Sequence, residues 1–237
     1  MRNAMSLSQS PLIGLATLFI LGLAVKPAQA QANLIVNGNF SSGNTGFSTG
    51  YSVRNSGDPG PGSYTVGANP HDFNAGGGSY GDHTTGGGLM LIADGSQTAN
   101  VPVWSETLAV APSSAYSFSF FVSSWGEFGS ATQAYDPASL QVFVNGVAVG
   151  PVIFTPSSIG VWENHTLLLS PFSTPTALIS LVDLNTDFVG NDFALDDFKL
   201  NAVPVPEASS LISFGLILAL GLGIVVARKR KAASNPA

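Results

Sequence analysis

The sequence contains no cysteine among its 237 residues. This absence excludes disulfide bonds, zinc sites with thiolate ligands, cysteine nucleophiles and a lipid-modified amino-terminal cysteine. A domain without cross-links must be stabilised by its own hydrophobic core, because no covalent bridge restrains the unfolded chain. The central part of the chain, about 170 residues long, is large enough to form such a core as a single domain.

Basic residues are almost absent from the central part of the chain. Between Gln31 and Glu207 only Arg54 and Lys199 are basic, whereas all 14 acidic residues lie in this range. The resulting net charge of -12 repels phosphate backbones, which excludes nucleic acid as a partner. The same charge is typical of a well-solvated surface, and it also favours divalent cations such as Ca²⁺. Both interpretations stay open.

Long hydrophobic runs occur only at the two ends of the chain. Residues 1–30 combine Arg2, an apolar run over 12–25 and the small-x-small sequence Ala28-Gln29-Ala30. This order is typical of a secretory signal peptide, and it predicts Gln31 as the mature amino terminus. The alternative is an uncleaved anchor, which the shortness of the apolar run disfavours.

The carboxyl-terminal tail, residues 203–237, has three successive parts. An uncharged apolar run of 17 residues, 211–227, follows a short polar motif and precedes four cations. At about 1.5 Å per residue, a helix over this run spans roughly 25 Å, enough for a thin bilayer. The cations are expected to stay in the cytoplasm, so the preceding residues face outward. The motif is Val205, Pro206, Glu207, Ala208, Ser209 and Ser210, and the basic cluster is Arg228, Lys229, Arg230 and Lys231.

The tail resembles the PEP-CTERM sorting signal, whose pattern is Val-Pro-Glu-Pro-Ser, an apolar helix and an arginine-rich end. Two features depart from that pattern, because Ala208 replaces the second proline and residues 232–237 follow the basic cluster. The resemblance implies a bacterium that makes exopolysaccharide and recognition of the tail by an exosortase. The chain would be anchored in the inner membrane before processing, and then reach the cell surface or the exterior. The alternative is a permanent single-span anchor.

The central domain, residues 31–202, has the composition of an all-β protein. Valine, phenylalanine, serine and threonine dominate its short runs, and glycine, proline and asparagine interrupt them. The dipeptide Asn145-Gly146 between two apolar runs predicts a β-hairpin turn. At least eight strands at this spacing predict a jelly-roll β-sandwich. The predicted strands are 33–40, 89–93, 104–110, 116–125, 140–144, 147–149, 167–169, 177–182 and 193–200, and 55–88 is predicted to be mostly loop.

Three stretches of this domain resemble the jelly-roll domains of carbohydrate-binding modules. They are residues 33–40, 103–120 and 190–198, so the resemblance covers nearly all of the domain. It implies the fold, but it specifies the ligand poorly because one fold serves many functions.

Strand alternation places Asp196 on the same face as Ala194 and Phe198, and this face is predicted to point inward. A buried carboxylate is costly unless it is paired or bound to a metal. The resemblance to carbohydrate-binding modules implies a structural Ca²⁺ that joins Asp196 to Asn39 near the chain start. Ser41 stands where those modules usually carry glutamate. The alternative is that Asp196 accepts hydrogen bonds from backbone N–H groups without a metal.

The segment 81–88 brings Asp82 and His83 together in a glycine-rich stretch. Asp82 and His83 could form a catalytic pair, or they could form a metal cluster together with His71 and Asp72. Neither spacing matches a zinc or protease signature. A turn stabilised by its own polar side chains is the simpler interpretation.

Aromatic side chains give the clearest indication of a ligand. Trp125 lies on the serine-rich face of its strand, opposite the phenylalanines expected in the core, and it opens a loop that contains Tyr135. Sugar rings stack on aromatic planes, and nearby carboxylates accept hydrogen bonds from sugar hydroxyls. These features predict a glycan-binding platform at Trp125 and Tyr135, with packing inside the loop as the alternative. Trp104 and Trp162 are expected in the core.

These features predict an exported protein, displayed through its sorting tail, with a structural or adhesive role in an exopolysaccharide layer. It is not expected to be an enzyme. A dedicated carbohydrate-binding protein is the alternative. A glycoside hydrolase is the third candidate and would need two suitably spaced carboxylates from Glu106, Glu127 and Glu163.

Overall fold

The computed structural model describes residues 32–54, 60–126, 136–188 and 190–204. They fall in the unit Gln31–Ala237, one of two units into which the chain divides. The predicted signal peptide, the sorting motif from Val205 onward, the apolar run and the basic cluster all lie outside the described residues. Within the described ranges, no helix combines the length and the hydropathy that crossing a bilayer requires.

The described residues form two β-sheets and one short helix. The larger sheet has the strand order β1-β2-β3-β10-β5-β8, and the smaller has the order β4-β9-β6-β7. All neighbouring strands are antiparallel except β1 and β2. This architecture is consistent with the predicted jelly-roll sandwich. The elements are β1 Ser52–Val53, β2 Ser63–Gly67, α1 Pro70–Phe73, β3 Met90–Asp94, β4 Pro102–Ala109, β5 Tyr116–Ser124, β6 Ser139–Val144, β7 Val147–Phe154, β8 Glu163–Leu169, β9 Thr176–Asp183 and β10 Asp192–Ala202.

The main core lies between the two sheets and is rich in aromatic rings. Trp104 of β4 stacks on Phe198 of β10 with ring centroids 4.4 Å apart, and Phe120 of β5 stacks on the same ring at 5.4 Å. Trp104 is therefore a core residue, as predicted. The alternating side chains of β5 that were expected to point inward are all buried: Tyr116, Phe118, Phe120 and Val122.

The hairpin between β6 and β7 has the predicted turn. Asn145 and Gly146 both have positive φ angles, 50° and 80°, as a type I′ turn requires. Strand β7 is longer than the sequence suggested. Its pairing with β6 shifts between Leu140 and Val142, and β7 continues past this shift. The side-chain amide of Gln141 lies at this irregularity and donates a hydrogen bond to the carbonyl oxygen of Val149 at 2.9 Å.

The predicted first strand, 33–40, is wrong. These residues form a series of turns in which Asn37 and Phe40 have positive φ angles of 54° and 51°. The Asn37 side chain donates to the carbonyl oxygens of Gly43 and Thr45, and it accepts a hydrogen bond from a nearby backbone N–H group. Such local bonds stabilise a turn at the expense of a strand ladder, although the apolar pattern resembles a strand. The segment still docks on β10, since Phe198 donates its backbone N–H to Gly38.

A bulge in β10 changes which side chains point inward. The pairing of β10 with β5 shifts between Asp196 and Lys199, and Asp197 has a positive φ of 53°. Before the bulge Leu195 faces the main core, whereas Ala194 belongs to a second cluster on the outer face. After the bulge Phe198 again faces the main core. The predicted inward face shared by Ala194, Asp196 and Phe198 is therefore wrong, because the extra residue breaks the two-residue period.

The segment 68–88, which is mostly loop, covers part of the outer face of the larger sheet. The prediction that 55–88 is mostly loop is wrong for Ser63–Gly67, which form β2. The only helix of the segment 68–88 is α1, where Asn69 caps the first turn by accepting a hydrogen bond from the backbone of His71. Helix α1 positions Phe73 edge-on against the ring of Trp125, with centroids 5.8 Å apart. Together with Met90, Ile92 and Ala194 these two rings form the second hydrophobic cluster. The segment therefore forms a third layer over this second cluster.

Candidate functional site

The turn 81–88 is held closed by Asp82. Its carboxylate accepts hydrogen bonds from the backbone of Gly88 at 2.7 Å, from the backbone of Thr85 at 3.0 Å and from the hydroxyl of Thr85. Burial acts to raise the pKa of Asp82, but these hydrogen bonds together lower it below its usual value. Gly81 packs so closely on Gly86 that a Cβ atom would clash with its backbone. The interpretation of this segment as a turn whose side chains bond its backbone is confirmed for Asp82, whereas the hydroxyl of Thr84 donates to Asp196 instead.

Asp196 anchors the same turn to the sheet. Its carboxylate accepts hydrogen bonds from the backbone of His83 at 3.0 Å, from the backbone of Asp197 at 2.8 Å and from the hydroxyl of Thr84 at 3.4 Å. Burial raises its pKa to about 7, and the charges of Asp197 and Asp82 act in the same direction. Both oxygens of this fully buried carboxylate therefore have donors from the protein itself.

His83 lies between a carboxylate and an aromatic ring. Its Nδ1 atom is 2.7 Å from an Oδ atom of Asp197, whose left-handed backbone in the bulge directs the side chain to this side of the sheet. The imidazole stacks on Phe121 of β5 with centroids 3.4 Å apart and an angle of 17°. The side chain keeps 31% of its surface exposed. The bulge in β10 is therefore what brings the histidine, the two aspartates and the aromatic ring together.

Two further aromatic side chains extend this arrangement. Trp162, directly before β8, lies edge-on to His83 and to Tyr80, with centroids 6.1 and 6.0 Å apart. Its indole Nε1 donates to the carbonyl oxygen of Gly81 at 3.2 Å. The hydroxyl of Tyr80 donates to the carbonyl oxygen of Ser124 at 3.1 Å. Tyr80, His83, Phe121 and Trp162 are all partly exposed, and we refer to them as the aromatic surface.

The rim of the aromatic surface is polar. Thr84 and Thr85 of the turn and Glu163 and Asn164 of β8 are exposed. In the antiparallel register Asn164 lies opposite Phe121, so it is placed beside the stacked rings. Such a surface offers flat apolar faces with hydroxyl, amide and carboxylate groups at their edge. It can bind a ligand ring whose faces are apolar and whose rim is polar.

The predicted platform at Trp125 is wrong. Trp125 is 1% exposed, and its Nε1 donates to the carbonyl oxygens of Ala93 at 2.9 Å and Phe193 at 3.0 Å. The side chain does lie on the face opposite the main core, but Gly77 and α1 cover it there. A covered ring presents no plane to a ligand. Tyr135, the second residue of that prediction, lies outside the described residues.

The predicted calcium ligands have other partners. The Oδ1 atom of Asn39 accepts hydrogen bonds from the backbone and hydroxyl of Ser41 at 3.3 and 3.0 Å. One oxygen of Asp196 accepts from the backbone of His83 in the turn and the other from the backbone of Asp197 in β10, as the metal-free alternative required. In the part of the chain that the structure describes, no three His, Asp or Glu side chains are grouped so that they could hold a metal ion. Calcium at Asn39 and Asp196 stays a prediction, and these bonds do not favour it.

Sequence reasoning missed Trp162 and Tyr80 as surface residues. Trp162 was expected in the core, yet it is partly exposed at the start of an edge strand. Its position directly before the polar pair Glu163-Asn164 was a signal of that location. The only sequence signal for Tyr80 as a surface residue was its closeness in sequence to Asp82 and His83.

Of the carboxylates considered for glycoside cleavage, Glu106 and Glu163 lie on different strands of different sheets. Glu106 belongs to β4 of the smaller sheet, where it accepts a hydrogen bond from the backbone of Val36 at 3.1 Å. Burial raises the pKa of Glu106 above its usual value. Glu163 is exposed on β8 of the larger sheet, and Glu127 lies outside the described residues.

No protein-family model matches the chain, and no curated protein matches it. Several solved structures resemble it, and they include carbohydrate-binding modules. The xylan-binding domain CBM22-1 of Xyn10C from Paenibacillus barcinonensis has 19% identity and a TM-score of 0.38, with 63% of this chain and 91% of that domain covered. TmCBM61 in complex with β-1,4-galactotriose has 16% identity and a TM-score of 0.46, with 73% and 99% covered. The sugar-binding EclA C-terminal domain has 14% identity and a TM-score of 0.36, with 42% and 66% covered.

Proposed function

We propose that this chain is a non-catalytic carbohydrate-binding protein and that the aromatic surface is its binding face. The observation that carries the proposal is the grouping of four partly exposed aromatic side chains beside a polar rim. Sugar rings present C–H groups on their faces and hydroxyls at their edges. They therefore match a surface that offers ring planes surrounded by hydrogen-bonding groups.

The surface is held rigidly before any ligand arrives. Asp82 closes the turn, Asp196 ties it to β10, and Trp162 bonds back to Gly81. His83 is fixed by Asp197 on one side and by the ring of Phe121 on the other. A preorganised face loses little side-chain entropy on binding, so a few stacking contacts can suffice for measurable affinity.

The charge around the surface favours a neutral glycan. Asp82, Asp196 and Asp197 lie beneath the turn, and Glu163 is exposed at the rim. Between Gln31 and Glu207 the net charge is -12, with two basic residues against 14 acidic ones. An anionic polysaccharide would be repelled at low salt, so a neutral polysaccharide is the ligand class that we propose.

The test compares two exposed aromatic residues of the same chain. Purified full chain is passed over immobilised neutral polysaccharides, and retention is compared for wild type, Trp162→Ala and Phe154→Ala. Phe154 is the matched control, since it is 66% exposed on β7 of the other sheet. Loss of the stacking contact is expected to weaken binding by about 1 kcal/mol or more, roughly fivefold or more, in Trp162→Ala only.

Two outcomes would contradict this placement. Equal retention of Trp162→Ala and wild type would move the binding face elsewhere, provided that both proteins unfold at similar temperatures. Failure of wild type to bind any neutral polysaccharide would leave the structural or adhesive role as the better description. Release of reducing sugar from a retained polysaccharide would instead favour the hydrolase.

We further propose that the domain is exported and displayed through its tail in an exopolysaccharide layer. The support is the order of motif, apolar run and cations over 205–231, together with the signal-peptide pattern of residues 1–30. An exosortase would be the processing partner, and the cell surface or exterior the final location. Mass spectrometry of the native protein is expected to find a carboxyl terminus near Glu207. Intact residues 228–237 in the dominant species would instead indicate a permanent anchor.

A further inference from the structure

We propose that the connection between β9 and β10 is a calcium site whose central ligands are the side-chain oxygens of Asp183 and Asn191. This site is separate from the aromatic surface and from Asn39 and Asp196. It does not depend on the proposed carbohydrate binding.

Two buried oxygens in this connection have no hydrogen-bond partner. Asp183 is 2% exposed, and its Oδ1 accepts hydrogen bonds from the backbones of Ser139 and Asn185, both at 3.1 Å. Its other oxygen, Oδ2, has no partner. Asn191 is 1% exposed and donates its amide to the carbonyl oxygen of Asn185 at 2.8 Å, while its Oδ1 is also without a partner. Buried polar atoms are nearly always satisfied, so two such acceptors in one connection indicate a missing electropositive group.

The two side chains are held in place by the surrounding backbone. Asn191 has a left-handed backbone with φ of 66°, and its amide group packs against Gly95, where a Cβ atom would clash with it. The backbone of Asn191 donates to Asp136 and accepts from Gly95. The Asn191 side chain also acts as a hydrogen-bonding group that lowers the pKa of Asp183, although its geometry does not give Oδ2 a hydrogen bond. The pair is therefore a fixed feature at the end of the sandwich.

The surroundings of the pair are acidic. Asp192 directly follows Asn191 and lies opposite Asp94 in the β10–β3 register. Asp136 and Asp187 lie close enough to share a hydrogen bond, which raises the pKa of Asp187. A cation would relieve this concentration of negative charge.

The chemistry of the oxygens favours calcium. Every candidate ligand is a carboxylate, an amide oxygen or a backbone carbonyl, and such hard ligands suit Ca²⁺ or Mg²⁺ rather than a transition metal. Magnesium demands near-ideal octahedral geometry and keeps its waters, whereas calcium accepts irregular sets that include amide and carbonyl oxygens. One short segment carries oxygen-bearing side chains at every second position, namely Asp183, Asn185 and Asp187. Since no three acidic or histidine side chains converge in the described residues, amide oxygens, carbonyls and water must complete the shell.

The rival explanation is a proton. A protonated Asp183 could donate from Oδ2 to the Oδ1 atom of Asn191, and that bond would satisfy both atoms without a metal. The two explanations differ in their response to Asp183→Asn. The new amide can replace the proton donor and keep the fold, but it removes the charge and the oxygen that a cation needs.

The experiment measures terbium luminescence of the full chain at pH 7.5 after treatment with a chelator, followed by displacement with calcium. Terbium is a probe for calcium sites, and Tyr51, whose pKa is raised in part by the charge of Asp183, is close enough to sensitise it. Wild type is expected to give emission that calcium displaces. The affinity is expected to fall at least tenfold in Asp183→Asn and to increase in Asn191→Asp, which adds a carboxylate. Saturating calcium is expected to raise the melting temperature of wild type by about 5 °C.

Two controls separate this site from general charge effects. Asp72→Asn removes an exposed acid of α1, and Asp196→Asn removes the acid of the other calcium prediction. Both variants are expected to retain wild-type terbium affinity. The proposal is overturned if Asp183→Asn binds terbium as wild type does. It is also overturned if wild type gives no displaceable emission up to about 10 mM calcium, which exceeds the range of weak extracellular calcium modules.

Discussion

Asp196 on the larger sheet and Asp183 on the smaller sheet are both buried, but their carboxylates differ in hydrogen bonding. Burial raises the pKa of each to about 7. Both oxygens of Asp196 accept hydrogen bonds from the turn 81–88 and the bulge, so that the chain itself satisfies this carboxylate. One oxygen of Asp183 has no partner. Burial alone therefore does not distinguish a structural carboxylate from a candidate ligand, whereas the satisfaction of each oxygen does.

The tryptophans of the outer face show a similar contrast. Trp125 and Trp162 both lie outside the main core, and both donate from the indole nitrogen to backbone carbonyls. Trp125 is covered by the segment 68–88, whereas Trp162 contacts the edge of this segment at Tyr80, Gly81 and His83 and stays partly exposed. The first is expected to affect stability, and the second is expected to affect binding.

The largest expected effect is that of Trp125→Ala. Removing this ring empties the second cluster and leaves two carbonyl oxygens without their donor, so the free energy of unfolding should fall by about 3–5 kcal/mol. Urea denaturation followed by circular dichroism measures the change. Trp162→Ala is the matched variant and should cost about 1 kcal/mol or less. Equal losses of stability in the two variants would remove the contrast between them.

A smaller effect is expected when the two aspartates are replaced by asparagine. In calcium-free buffer Asp196→Asn loses an acceptor for the backbone of His83 or Asp197, so stability should fall by about 1–3 kcal/mol. Asp183→Asn should be near neutral or stabilising, because its amide can donate to the unpaired oxygen of Asn191. Thermal unfolding of both variants in the presence of a chelator makes the comparison. A larger loss in Asp183→Asn than in Asp196→Asn would reverse the assignment of the two carboxylates.

The last expected effect is a pH dependence that Asp196 contributes. Its pKa is about 7 in the folded chain and near 3.8 in the unfolded chain, so between these values the folded chain holds the proton more tightly. Stability should therefore fall as the pH rises from about 4 to about 7, and the contribution should level off above that range. Melting temperatures from pH 4.5 to 8 in chelator test this slope. In Asp196→Asn the fall should be shallower, and an unchanged slope would show that other acids cause it.

Much of the fold could be predicted from local patterns. The alternating apolar side chains of β5, the Asn145-Gly146 turn and the burial of Trp104 are confirmed, because each depends on residues adjacent in sequence or on one face of one strand. The first predicted strand failed because the side-chain bonds of Asn37 outweigh an apolar pattern over 33–40. The site was predicted less well. The turn around Asp82 was anticipated, whereas its contact with Asp196, more than 100 residues away, was not.

Composition and short-range pattern alone determine that this chain has no disulfides, a strongly acidic centre, apolar runs at its ends and a β-rich domain. These properties follow from residue types and from periodicity, which need no knowledge of distant contacts. The tertiary structure decided which face each polar side chain occupies. One extra residue in the β10 bulge moved Asp196 to the outer face, and the segment 68–88 buried Trp125 there. The physical reason is that a bulge and a covering layer arise from contacts between distant parts of the chain, so strand alternation alone cannot reveal them.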